Sequence, residues 1–139
     1  MRQIHRSLQV ETRGKGLYDV SARVIEMQAE SGIRAGLVTV FIAHTSASLL
    51  IQENADPEVL HDLERFFARL VPDGEPLFRH VEEGPDDMPA HVRSALTQTT
   101  LAIPVIDGKL ALGVWQGIYV YEHRNKPHSR KLIVHVIGE

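Results

Sequence analysis

Between Gly36 and Ala43 the chain reads Gly-Leu-Val-Thr-Val-Phe-Ile-Ala, an almost unbroken run of β-branched, aliphatic and aromatic residues. That composition over so few residues suits a β-strand, and the lack of alternation suits one buried on both faces. Such a strand needs partners, and the remaining sequence offers them. Residues 4–12 set Ile4, Leu8 and Val10 between mostly polar neighbours, the period-two pattern of a strand. Leu101 to Ile106 and Lys109 to Leu112 flank Asp107-Gly108, which reads as a hairpin with a two-residue turn. Val114–Tyr121 and Lys131–Ile137 read as further strands.

Helical signals fall between these strands. Residues 18–31 carry Val20, Val24 and Met27 at helical spacing, with Ile25 widening the face, after a turn at Arg13-Gly14-Lys15-Gly16. Gly32 is placed to end that helix. Asp56-Pro57 opens a second, with Asp as N-cap and Pro at the first helical position. Its stripe runs through Val59, Leu60, Leu63, Phe66, Phe67 and Leu70. Pro89 opens a third through about Thr97, with Val92, Ala95 and Leu96 facing inward. About three helices and six or seven strands, clustered toward the C-terminal half, indicate an α+β fold of sandwich-like sheets. At 139 residues the chain is expected to form one compact domain over 1–139.

Charge and cysteine content narrow the chemistry. Fifteen Lys and Arg against eighteen Asp and Glu leave a net charge of −3, which argues against a nucleic-acid partner. No apolar run approaches the roughly 18 residues of a membrane span, and the N-terminus has no signal-like apolar core. The expectation is a cytoplasmic protein with no membrane partner. Without Cys there is no disulfide, thiolate nucleophile or sulfur-ligated metal, so any metal must sit on His and carboxylates. Eight His are available for that.

Five places hold residues that could carry chemistry. His44 follows the apolar strand and precedes Thr45, Ser46 and Ser48, a strand end of the kind that often carries a site. The alternative is an imidazole satisfied by a backbone carbonyl in a capped turn. Glu53 and Asn54 are left unexplained by the cap at Asp56, whereas His61 falls on the polar side of the second helix. His80, Glu82, Glu83, Asp86, Asp87 and His91 lie within twelve residues of one another, a set suited to zinc, manganese or a similar divalent ion. The spacing matches no diagnostic metal motif, and an acidic solvated loop is the competing reading. That loop sits in residues 72–90, which hold four of the seven Pro and form the longest irregular stretch. Gly113-Val114-Trp115-Gln116-Gly117 contains the sole Trp, either a core residue or a pocket wall with Gln116 as polar handle. Finally, Glu122-His123-Arg124 and Ser129-Arg130-Lys131 supply a cationic end suited to a small anionic ligand.

The strings HTSASLLIQENADPEV (44–59), HVEEGPDDMPAH (80–91), GVWQGIYVYEHR (113–124) and SRK (129–131) occur in an order that closely resembles the YjbQ-like family. Members of that family are described as secondary thiamine-phosphate synthases. The resemblance covers the chain from Leu8 onward. It implies a compact α+β domain that assembles as a homotrimer with clefts near the subunit boundaries. It also implies a transferase with weak thiamine-phosphate synthase activity, joining a pyrimidine diphosphate to a thiazole phosphate, alongside a different or additional physiological role. His44, Ser46, Glu53, Asp87 and Arg130 would be catalytic, and Trp115, Gln116 and Arg124 would bind substrate. His44, His91 and His80 would hold a divalent metal such as zinc. No glycine-rich phosphate cradle accompanies these motifs. Two other expectations stand beside the synthase: a metal-dependent hydrolase, and a non-catalytic module that binds a small phosphorylated or anionic metabolite.

Overall fold

Backbone pairing organises the chain around its C-terminal strand. The structure is a computed structural model that describes residues 1–139. Strand β1 (Arg2–Thr12) runs antiparallel to β8 (His128–Gly138) along its whole length, from Arg2 opposite Gly138 to Thr12 opposite His128. The other edge of β8 takes β3 (Gly36–Ile42), followed by β5 (Thr100–Ile106) and the short β6 (Lys109–Leu110). Asp107 and Gly108 both have positive φ, 51° and 79°, the geometry of a tight hairpin turn between β5 and β6. A second, three-stranded sheet has the order β2 (Gly16–Asp19), β7 (Gln116–Glu122), β4 (Ala47–Glu53). Every pairing is antiparallel.

The inward residues of both sheets share one apolar core. Val38, Val40 and Ile42 of β3, Leu132, Val134 and Val136 of β8, and Leu49, Ile118 and Val120 of the smaller sheet are all buried in it. The β3 run is therefore not buried on both faces. Its residues alternate, and Leu37 (38% exposed) and Phe41 (42%) point away from the core beside Ile137 and Ile133 of β8. This outer face of the larger sheet stays apolar but uncovered within the chain.

Backbone contact between β3 and the chain end is unusually close. A Cβ added at Gly36 would lie 2.0 Å from the Ile137 carbonyl oxygen and 2.9 Å from Gly138 Cα. Both obstacles are backbone, which cannot rotate away. Gly36→Ala is expected to cost about 3 kcal/mol, the upper range for overpacking. A lower urea midpoint at unchanged m-value checks this.

The helices depart from the sequence expectation in instructive ways. Helix α1 is Ser21–Ser31, ended by left-handed Gly32 (φ 68°) as expected, but it starts later. Leu17, Tyr18 and Asp19 are instead strand, paired with Tyr121, Val120 and Tyr119. Tyr18 locks that segment by donating to the Gly14 carbonyl and accepting from the Arg13 N–H, both at 2.8 Å. Here sheet pairing overrides a short helical pattern. Ile25 faces solvent. Helix α2 (Pro57–Leu70) has the expected cap, the Glu58 N–H donating to Asp56 Oδ1 at 2.9 Å. Its apolar stripe is only half-covered, and Phe66 and Leu70 are exposed.

Helix α3 (Asp87–Leu96) begins two residues before Pro89, which is tolerated in the first turn. Its inward face is Asp87, Ala90, Arg93 and Ser94, whereas Ala95 and Leu96 are exposed. The helix turns ionic side chains inward, and these make the candidate site.

Candidate functional site

His44 sits two residues beyond β3, where its side chain extends the backbone ladder. The Ala43 N–H donates to the Lys131 carbonyl at 3.1 Å, and the Lys131 N–H donates to His44 Nε2 at 2.8 Å. An imidazole whose Nε2 accepts carries its proton on Nδ1 when neutral. Burial, then the charge of Arg130, push the His44 pKa below its ordinary value. Arg130 Nη1 lies 3.4 Å from Nδ1, a donor facing a donor rather than a bond. His44 lines a cleft with Thr45, His91, Ser94 and Thr99.

Arg130 is almost fully buried and already engaged. Its Nε and Nη2 donate to the two carboxylate oxygens of Glu122, and Nη2 also reaches Ser46 Oγ at 3.1 Å. Glu122 is wholly buried and also accepts from Thr12 Oγ1 and the His123 and Arg124 N–H groups. Burial alone would raise its pKa; the bonds from Arg130 and Thr12 outweigh that and hold it below the usual carboxylate range. Arg124 is committed too. Nε donates to Asp86 Oδ2 at 3.0 Å, Nη1 to Asp87 Oδ1 at 2.7 Å and Nη2 to the Glu83 carbonyl at 2.9 Å. The expected cationic end is therefore a set of internal ion pairs. Arg124 and Arg130 position the acidic loop and the His44 turn rather than presenting free forks.

The loop pinned by Arg124 brings a His and carboxylate cluster together. His80 Nε2 is 2.7 Å and His91 Nε2 3.2 Å from the same oxygen, Asp87 Oδ2. Asp87 is 3% exposed, whereas His80 and His91 remain partly open. Burial raises the Asp87 pKa; the bond with His80 and the charges of Arg124 and His91 outweigh it and hold the carboxyl low. The three donor atoms lie within 4.8 Å of one another. Two imidazole nitrogens and one carboxylate oxygen are a fitting donor set for zinc or a similar ion. The two spacings to Asp87 Oδ2, 2.7 and 3.2 Å, lie below the edge of about 3.4 Å that 2.1 Å bonds give in a tetrahedron. Of the expected ligands, His80 and His91 belong to this cluster. His44 stands outside it with Nε2 occupied, and Asp87 takes the third position.

Glu53, Trp115 and Gln116 do not join these residues. In the register of β4 and β7, Ala47 faces Glu122 and Glu53 faces Gln116. Six strand residues put the two ends about 20 Å apart. At the far end, Gln116 Oε1 accepts from the Gly113 N–H at 2.7 Å, and the Asn54 N–H donates to the Trp115 carbonyl at 3.0 Å. Asn54 Nδ2 also donates to the Val114 and Gln116 carbonyls, while Glu53 accepts from the Asp56 N–H. This turn presents Trp115, which is 62% exposed and not a core residue.

Arg93 is a buried polar residue that was not singled out from sequence, and Asp86 and His123, read there as parts of an acidic loop and a cationic end, are buried as well. His123 is 1% exposed, and burial, then the charge of Arg93, push its pKa down to about 3. Its Nε2 is 2.8 Å from Ser48 Oγ, which Thr97 Oγ1 meets at 2.6 Å.

Two antiparallel sheets around one core, with ionic residues gathered at one end of β4, β7 and β8, define an α+β domain of the two-sheet type. Residues 6–139 match the family described as UPF0047 protein YjbQ-like. The chain belongs to that family. It is 54% identical over 138 residues to the UPF0047 protein sll1880 of Synechocystis, covering 99% of this chain and 94% of that one. It is 40% identical over 135 residues to YjbQ of Escherichia coli O157:H7, covering 96% and 97%. A crystal structure of a YjbQ/UPF0047 protein from Clostridium acetobutylicum superposes with a TM-score of 0.84 at 34% identity, covering 96% and 99%. A YjbQ-like protein of unknown function from Sulfolobus solfataricus shares the fold, with a TM-score of 0.86 at 21% identity over 99% and 100%. No helix is long and apolar enough to cross a membrane.

Proposed function

We propose that this protein is a metal-dependent enzyme acting on a small phosphorylated metabolite, with thiamine-phosphate formation as the reaction to test first. The convergence of His80, Asp87 and His91 on one point carries this reading. A divalent ion held there would supply charge to stabilise a leaving diphosphate or to polarise a bound oxygen. The chain's own contributions are positional. Arg124 fixes Asp87 by holding Oδ1, leaving Oδ2 for the cluster. Arg130 braces the His44 turn through Ser46, and His44 lines the same cleft as His91.

In thiamine-phosphate formation the C–O bond of the pyrimidine methyl diphosphate breaks and the thiazole nitrogen forms a C–N bond, releasing diphosphate. Positioning and charge stabilisation are the main demands of such a step. His44→Ala and His91→Ala are expected to lose most of any thiamine-phosphate synthesis while remaining folded. Unchanged turnover in both variants would overturn the assignment. A metal-dependent hydrolase is the second reading, favoured by three protein ligands with room for a fourth, as catalytic zinc sites have. Turnover of a phosphoester dependent on zinc or manganese, without thiamine-phosphate formation, would select it.

Assembly belongs to the same proposal. The chain is expected to form a homotrimer with clefts near the subunit boundaries. The uncovered face of Leu37, Phe41 and Ile106 supports association of copies. Light scattering at the mass of three chains is the expected result.

A further inference from the structure

A second set of buried polar groups lies outside the site above. Lys15, Glu64, Ala68, Arg93, Tyr121 and His123, with Glu122, line a cavity of about 150 Å³ between α2, α3 and β7. None of these residues belongs to the His80–Asp87–His91 cluster. Arg93 is 4% exposed, and its Nη2 donates to the Val71 carbonyl and, at 3.4 Å, to Asp73 Oδ1. Arg93 Nε and Nη1 have no partner, and neither does His123 Nδ1. Unanswered donors of this kind are costly in a folded interior and call for a ligand or water.

The unbonded donors narrow the choice more than charge does. Lys15 and Arg93 both pair with the single carboxylate of Asp73 rather than with Glu64. Glu122 accepts from Thr12, Arg130 and two backbone N–H groups, so its charge is answered by Arg130. With Glu64 counted, two cations face two carboxylates, and it is the unbonded guanidinium donors of Arg93 that favour an anion. Glu64 on the cavity wall is acceptor-only when ionised and would repel a fully deprotonated oxyanion. It would instead accept a hydrogen bond from an oxyanion that keeps a proton.

We propose that this cavity binds hydrogen phosphate, as the free ion or as the singly protonated head of a small phosphomonoester, with Arg93 and Lys15 as donors and Glu64 accepting from the P–OH. The site discriminates against sulfate, which has no proton to give Glu64 near neutral pH. Calorimetric titration of the whole chain with inorganic phosphate, methyl phosphate and sulfate tests this. One saturable phosphate site per chain is expected, with sulfate at least about tenfold weaker, the effect of one hydrogen bond to a charged group. Methyl phosphate binding as tightly as inorganic phosphate at about pH 6, where roughly half of it keeps its proton, would assign a monoester head; binding of inorganic phosphate alone would assign the free ion.

Ala68→Leu fills the cavity without touching a polar group and should weaken phosphate at least about tenfold, as should Arg93→Gln. Should Arg93→Gln fail to fold because the Val71 carbonyl loses its donor, Ala68→Leu and Lys15→Gln still decide. Glu64→Gln should bring sulfate within a few-fold of phosphate. No saturable phosphate binding, equal sulfate binding by the native chain, or full phosphate binding by Ala68→Leu would each overturn the proposal. Zinc binding at the His80 cluster is expected to be unaffected by Ala68→Leu, which separates this outcome from failure of the metal site.

Discussion

Glu122→Gln is expected to destabilise the protein by about 3–5 kcal/mol, the cost of breaking a buried ion pair from one side. The carboxylate is wholly buried and takes two bonds from Arg130, one from Thr12 and two from backbone N–H groups. An amide returns an N–H donor into that ring of donors and leaves the Arg130 guanidinium buried without its counter-charge. The effect should propagate to the site, because Arg130 also holds Ser46 in the His44 turn. Urea unfolding measures the loss. A change within 1 kcal/mol would mean that Arg130 finds another partner or solvent.

Acid sensitivity supplies the second large effect. His123 is neutral in the fold with a pKa of about 3, against 6.5 when exposed. Between those values the unfolded chain binds a proton that the folded chain refuses, so stability falls as pH drops from about 6.5 toward 3. At pH 5 the shortfall is on the order of 2 kcal/mol relative to pH 7 and above, at about 1.4 kcal/mol per unit. His44, whose pKa is also lowered, adds in the same direction. The low-lying carboxyls Asp86, Asp87 and Glu122 contribute stability that is lost only at lower pH, below the ordinary carboxylate range. The window from pH 5 to 6.5 therefore isolates histidine. His123→Asn should flatten the slope of stability against pH there; an unchanged slope would place the acid-sensitive group elsewhere.

Much of the architecture was legible because periodicity reports directly on packing. The hairpin at Asp107-Gly108, the Asp56-Pro57 start and the Gly32 stop rest on local backbone chemistry and stand where the sequence puts them. Non-local matters were less legible. The β3 run looked buried on both faces because apolar residues also occupy the outer face of the sheet, where this chain leaves them uncovered. The inward face of α3 was misplaced because it is built from Asp87, Arg93 and Ser94, which a hydrophobic stripe cannot reveal.

The site divides the same way. His80, Asp87 and His91 are close in sequence, so their nearness was legible, although their spacing matches no metal motif and His44 was expected in place of Asp87. The separation of Glu53, Trp115 and Gln116 from His44 follows only from strand register. One signal was present and unused. Glu122 and His123 directly follow the apolar run Ile118–Tyr121, and polar groups that end a fully buried strand must be paired. Their partners, Arg130 and Ser48, are what a search for that pairing would have sought.

Equilibrium titration with zinc and manganese tests the central claim most directly. One ion per native chain is expected, lost in Asp87→Asn and weakened at least about tenfold in His80→Ala and His91→Ala, the scale of losing one ligand. His44→Ala should bind as the native chain does, since His44 lies outside the cluster. A native chain that binds neither ion, or one whose binding survives Asp87→Asn but is lost with His44→Ala, would contradict the account.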